Sequence, residues 1–201
     1  MADGKLLTQK GAVTEPNGNI TVNGDGSFTT AGAITKSVQL DVDRLVRPAV
    51  NPPDVAVKDN TIMFAFTVDT DEVYANIPLP SDYAQVGGLI FAAFWTNDGG
   101  VDDNGKAVKV QISYQTTALG EAISGSHANS PKTTEDTYAS ASGYILHKTE
   151  NMTIAHADIS GKLCVHLKIM FITPGAAALT CEPRLIGICI TYSAYQFILA
   201  T

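Results

Sequence analysis

Four histidines, His127, His147, His156 and His166, and three cysteines, Cys164, Cys181 and Cys189, are the residues that could bind a transition metal or act as nucleophiles. Their spacing argues against both roles. No two histidines form an HxH or HxxxH pair, and there is no CxxC to complete a zinc site. His166 alternates with the apolar positions of LCVHLKIMFI, which predicts an outward-facing strand residue. The acidic run DGGVDDNG at 98–105 lacks the DxDxDG order of a calcium loop and its closing Glu, so it reads as turn chemistry. Ser124 in AISGSH and Ser142 in ASASGY both miss the GxSxG elbow of a serine hydrolase. Gly24 and Gly26 begin a GxGxxG, but Thr29 stands at the third glycine. Asp41 and Asp43, like Asp69 and Asp71, share a strand face by spacing; glycosidase chemistry needs carboxylates converging from separate segments. The expectation is a protein without catalytic residues, bound metal or cofactor.

The balance of residues narrows the partners. Thirteen Lys and Arg against twenty Asp and Glu give a formal charge of -7 over 201 residues, which disfavours capture of nucleic acid phosphates. With 45% hydrophobic and 16% charged residues, the chain can bury one core under a surface rich in Ser, Thr, Asn and Gly. No apolar run is long enough to span a bilayer as a helix, and MADGKLLTQKGAV has no signal-peptide pattern, so membrane insertion is not expected and synthesis is placed in a host cytoplasm. An odd number of cysteines, two of them within strand-like runs, suits buried thiols in a reducing compartment.

Residues 17–32 read NGNITVNG followed by DGSFTTAG, one octapeptide written twice, with Ile20 over Phe28 and Thr21 over Thr29. Each octad can supply one strand and one glycine turn. After KSVQLDVDRLV comes RPAVNPPDVAVKDN, in which Pro48, Pro52 and Pro53 favour extended backbone. Residues 1–60 are therefore expected to form an extended arm, with Ile20, Val22 and Phe28 covered by a partner and Arg44 and Arg47 gripping an acidic surface through forked hydrogen bonds.

From Thr61 the pattern turns to strands. TIMFAFTVD and LIFAAFWTN are apolar runs, and AVKVQISYQ places Val108, Val110, Ile112 and Tyr114 at alternate positions. LCVHLKIMFI does the same with Leu163, Val165, Leu167, Ile169 and Phe171, and RLIGICITY with Ile186, Ile188, Ile190 and Tyr192. No window carries a sustained helical period. An all-β jelly-roll or β-sandwich domain is expected over 61–201. The polar stretch 116–143 reads as a long exposed loop and a contact surface, with His127 and Tyr138 as its candidate residues.

The stretch IPLPSDYAQVGGLIFAAFWTNDGG, followed by VKVQISYQT, resembles a family of β-rich bacteriophage virion proteins. The matching residues are Ile77, Pro78, Asp82, Tyr83, Gly87, Trp95, Thr96, Val110 and Tyr114. ADISGKLCVHLKIMF and LIGICITY, ending at Tyr192, extend the resemblance over roughly residues 61–195. Lys168 and Glu182 stand nearest to the family's strand arginine and its acidic partner. The octads independently resemble the β repeats of phage fibre stems. The resemblance implies a jelly-roll subunit that trimerises on a virion, here a capsid decoration or cement protein whose arm holds the major capsid protein. Two alternatives are a tail-fibre or tail-spike tip that reads a receptor, and a carbohydrate-binding β-sandwich with Trp95, Tyr138 and Tyr144 as stacking residues.

Overall fold

The computed structural model describes residues 13–14, 20–22, 28–30, 34–84, 87–99, 103–123, 127, 129–140 and 142–194. Strands β1 (Val13–Thr14), β2 (Ile20–Val22) and β3 (Phe28–Thr30) form a small antiparallel sheet of their own. Each octad contributes one strand, and the duplicated threonines face each other in register, Thr21 opposite Thr29. What the side chains of Ile20, Val22 and Phe28 contact lies outside the described residues, as does Ser124.

The remaining strands build a sandwich of two antiparallel sheets. In chain order they are β4 (Ile34–Asp41), β5 (Asp54–Lys58), β6 (Thr61–Ala65), β7 (Glu72–Pro78), β8 (Leu89–Thr96), β9 (Ala107–Thr117) and β10 (Asn129–Thr137). They continue with β11 (His147–Lys148), β12 (Met152–Ile154), the single helical turn α1 (His156–Ile159), β13 (Cys164–Ile172) and β14 (Arg184–Ala194). One sheet runs β10-β9-β13-β7; the other runs β11-β8-β14-β6-β5, with β12 also on β8 and β4 also on β14. The all-β sandwich expected from the alternating strands is what forms. Among the described residues no helix is long and apolar enough to cross a membrane.

The core lies between the sheets, and the period-2 positions point into it as the pleat requires. Val110, Ile112, Val165, Leu167 and Ile169 are fully buried, and Phe66 meets Phe171 edge to face at 5.1 Å. Two positions depart from the alternation. Leu163 precedes β13 and is exposed. Ile186 faces outward because the register of β14 against β8 shifts between Leu185 and Gly187; the bulge turns Leu185 inward and exposes its neighbour. His166 is a correction too: it is buried, with Nε2 3.0 Å from Thr117 Oγ1 and Nδ1 2.7 Å from Asn76 Oδ1. Lys168 pairs with Glu72 at 3.3 Å, not with Glu182.

The segment read as an arm divides differently. β4 pairs along its whole length with β14, Val42 and Leu45 enter the core from the 3-10 turn that follows, and β5 hairpins onto β6. Residues 34–60 therefore belong to the sandwich. Arg47 is engaged by its own domain: Nε donates to the Pro53 carbonyl at 2.8 Å and the guanidinium lies 5.7 Å from the Phe64 ring centre. Arg44 is exposed on the 3-10 turn. The stretch 116–143 is not one loop, since β10 occupies 129–137 and pairs with β9. Its residues, NSPKTTEDT, include no large apolar side chain, so an edge strand with nothing to bury left no hydrophobic period to read.

Candidate ligand-binding site

The β5–β6 hairpin turns at Asp59 and Asn60, both with left-handed backbone (φ 48° and 69°), the geometry of a two-residue hairpin turn in which Asn and Asp are favoured. The turn raises Lys58, Asp59 and Thr61 beside the outer face of the larger sheet. That face also carries Met63 from β6, Thr96 from β8, and Arg184 and Ile186 from β14. Arg184 and Thr96 are directly opposite each other in the strand pairing. Over them lies Tyr144. Together Lys58, Asp59, Thr61, Met63, Thr96, Tyr144 and Ile186 line a cavity of about 240 Å³. The cavity has an apolar floor, one aromatic wall and several hydrogen-bonding groups, the mixture expected of a small-ligand site.

Tyr144 is held in an uncommon conformation. Its φ is 61°, a left-handed value that costs a non-glycine residue about 1–3 kcal/mol and persists only where the surroundings impose it. Those surroundings are specific. The Tyr144 N–H donates to Asn97 Oδ1 at 3.0 Å, and the Gly99 N–H donates to the same oxygen at 3.2 Å. Gly143 is pressed on Gly99 so closely that a Cβ would stand 2.0 Å from the Gly99 Cα. Lys58 Nζ and Arg184 Cζ lie 5.6 and 5.5 Å from the Tyr144 ring centre, within cation–π range. The residue nevertheless stays 37% exposed.

Two polar atoms beside it have no hydrogen-bond partner among the described residues: Thr96 Oγ1, on a residue only 2% exposed, and Arg184 Nε. Buried polar groups are normally paired, and Thr96 lines the cavity, so its orphaned hydroxyl is a group that a ligand can satisfy once the side chain turns toward it.

A buried carboxylate anchors the loop from below. Asp103 accepts hydrogen bonds from the Thr180 N–H (2.8 Å), Thr180 Oγ1 (2.7 Å), the Cys181 thiol and Asn97 Nδ2 (3.4 Å), with Lys106 Nζ 3.7 Å away. Burial pushes the Asp103 carboxyl up, but the bonds from Cys181, Thr180 and Asn97 outweigh it and hold the group below its ordinary value. Burial, and then the bond to Asp103, push the Cys181 thiol up to about 12, so it stays protonated as a donor. The consequence for pH follows from the lowered carboxyl. Its stabilisation is present above the unfolded value near about pH 4 and is lost as pH falls through the folded value. Thermal unfolding followed from neutral pH to about pH 2 should show the wild-type midpoint dropping, while Asp103→Asn starts lower and drops less. Equal falls for the two proteins would remove Asp103 from the account.

The residues singled out from sequence fare unequally. Trp95 and Tyr138 are fully buried; Tyr138 is not an exposed contact residue. It serves the site from inside: its hydroxyl donates to the Ser142 carbonyl and accepts from the Ile145 N–H at 3.2 Å, clasping both ends of the turn that presents Tyr144. His127 packs on Tyr74, ring centres 5.3 Å apart, away from these residues. Of the three aromatic residues put forward for sugar stacking, Tyr144 alone reaches the surface. Sequence reading missed Thr96, Lys58 and Arg184 as site residues. The Asp-Asn turn was the available signal for Lys58; the strand pairing that brings Thr96 and Arg184 together left none. Among the described residues no three His, Cys, Asp or Glu side chains cluster as metal ligands.

No protein-family model and no curated protein matches the chain. Among the solved structures similar to it, two xylan-binding modules align over most of its length. One is a xylan-binding module, CBM15, at 13% identity and a TM-score of 0.46, covering 82% of this chain and all of that one. The other is a low-affinity xylan-binding module, CBM86, from the gut symbiont Roseburia intestinalis, at 11% identity and a TM-score of 0.36, covering 80% of this chain and 96% of that one.

Proposed function

We propose that the protein is a non-catalytic carbohydrate-binding β-sandwich whose reading surface is the cavity beneath Tyr144. One observation carries this: a partly exposed aromatic ring in a strained backbone stands beside a buried, unpartnered Thr96 hydroxyl. A pyranose presents an apolar C–H face and a rim of hydroxyls. The first suits an aromatic ring and the second suits Thr96, Lys58, Asp59 and Thr61. A cavity of about 240 Å³ has room for one sugar unit at a time. The work is adhesion, without bond cleavage.

The test is retention on a panel of immobilised polysaccharides, run for wild type and Tyr144→Ala. Wild type should bind at least one polysaccharide, and the variant should lose at least about tenfold in affinity, roughly 1.4 kcal/mol, at an unchanged melting temperature. Full retention by Tyr144→Ala would place any glycan site elsewhere.

A virion setting is the second reading, favoured by β1, β2 and β3, which among the described residues pair with one another ahead of β4. In that setting the chain trimerises through its N-terminal segment, as cement on the major capsid protein or as the tip of a fibre. A truncation must stop before β4. Removing residues 1–33 should leave a folded monomer, whereas removal to residue 50 would also take β4, Val42 and Leu45 out of the sandwich. Light scattering of full-length and truncated chains decides it: a monomer in both would exclude N-terminal trimerisation.

A further inference from the structure

The cavity beneath Tyr144 has a neighbour. On the other flank of the hairpin turn, Asp41, Val42, Asp43, Asn60, Thr61, Ile62 and Ile186 line a second cavity of about 340 Å³. The two share Thr61 and Ile186, so they adjoin across a ridge of two side chains. Their charges are opposite. The Tyr144 end has Lys58 at its wall and Arg184 on the ring, while the far end has the exposed carboxylates Asp41 and Asp43.

The cationic end is not internally neutralised. Lys58 meets Asp59 at 3.2 Å, but both are exposed, 48% and 83% by side chain, where such a pair is weak and screened. Arg184 has no carboxylate within ion-pair distance among the described residues, and its Nε lacks a hydrogen-bond acceptor. Arg184 stands beside the cavity, against the Tyr144 ring, and a half-buried guanidinium without an ion pair favours a carboxylate within reach of its terminal N–H groups. Asp41 and Asp43 repel an anion and accept hydrogen bonds from neutral hydroxyls.

Resting on the carbohydrate reading above, we propose that the two cavities form one directional groove for a linear acidic oligosaccharide. A uronate-bearing unit lies at the Tyr144 end, against Arg184 and Lys58, and neutral units cross the Thr61–Ile186 ridge toward Asp41 and Asp43. The charge gradient sets the direction in which the chain lies. Its length, more than one unit, follows from the pair of cavities.

The test is calorimetric titration of the full-length protein with three probes: an aldotetraouronic acid, the same oligosaccharide with its carboxyl reduced to the alcohol, and glucuronic acid alone. The acid should bind about tenfold tighter than its reduced form, and the monosaccharide about tenfold weaker than the acid. The preference should shrink between about 0.05 and 0.5 M salt. Arg184→Gln should bring the affinity for the acid down to that of wild type for the reduced form. If that variant fails to fold, Lys58→Gln, on an exposed side chain, should narrow the same ratio. Equal affinity for acid and reduced forms would overturn the acidic specificity and leave the glycan reading standing. Binding of the monosaccharide as tightly as the oligosaccharide would overturn the two-cavity groove. Retention on other polysaccharides with none of these probes bound would overturn the inference alone, while loss of all glycan binding would overturn the reading beneath it.

Discussion

Gly143→Ala is expected to abolish ligand binding at a site the residue never touches. A Cβ on Gly143 would stand 2.0 Å from the Gly99 Cα and 2.7 Å from its carbonyl carbon, both backbone atoms with no side-chain freedom to yield. The 142–146 turn and the Gly99 turn must separate, and Asn97 Oδ1 can then no longer accept from both the Tyr144 and Gly99 N–H groups. Without that pairing the left-handed conformation of Tyr144 is not maintained, and the ring leaves the cavity wall. The core is untouched, because the approach lies outside the sheets. The expected result is loss of polysaccharide retention by more than about tenfold with a modest loss of unfolding free energy, about 1–3 kcal/mol at most for the broken hydrogen bonds. Wild-type retention by Gly143→Ala would show that the two turns can part without moving Tyr144.

Trp95→Ala is expected to give the largest loss of stability. Trp95 is fully buried, with ring centres 5.9 Å from Tyr138 and 5.0 Å from His147. Its Nε1 donates to Asp136 Oδ2 at 2.8 Å, joining the two sheets through β8 and β10. Truncation removes a large apolar side chain, at about 3–5 kcal/mol, and also leaves the Asp136 carboxylate without that donor. Against a total of about 5–15 kcal/mol for a typical domain, this is about a quarter or more of what holds the fold. Denaturant titration followed by circular dichroism measures it, since the chain's single tryptophan is the one removed. Trp95→Phe separates the contributions: it keeps most of the packing and should lose only about 1–3 kcal/mol for the hydrogen bond.

The strands that bury one face were legible because burial writes a period of two into the sequence. β9 and β13 follow it almost residue by residue. β14 follows it until the bulge at 185–187, and that irregularity is what delivers Ile186 to the candidate site. Strands on the edges were not legible. β10 buries little and β4 shows mostly exposed side chains from 35 to 39, so neither carries a hydrophobic period, and each was read as loop or arm. The site was legible in one residue, Tyr144, and in the wrong sense for Tyr138, whose phenol was taken for a surface group while it clasps the turn from within. Thr96 and Arg184 are 88 positions apart in the chain and become neighbours only through strand register. Asp103 lay in a run that resembled a failed calcium loop; its role depends on Thr180 and Cys181, which the fold alone brings to it.

Under the proposed function, a glycan binds on the outer face of the larger sheet, beneath Tyr144. Amide chemical shifts of the isotope-labelled protein, followed while a retained oligosaccharide is added, test it most directly. Perturbations are expected to be confined to residues 58–63, Thr96, Tyr144 and 184–186, extending to 41–43 for ligands longer than one unit. Perturbations elsewhere, with those residues unmoved, would contradict it.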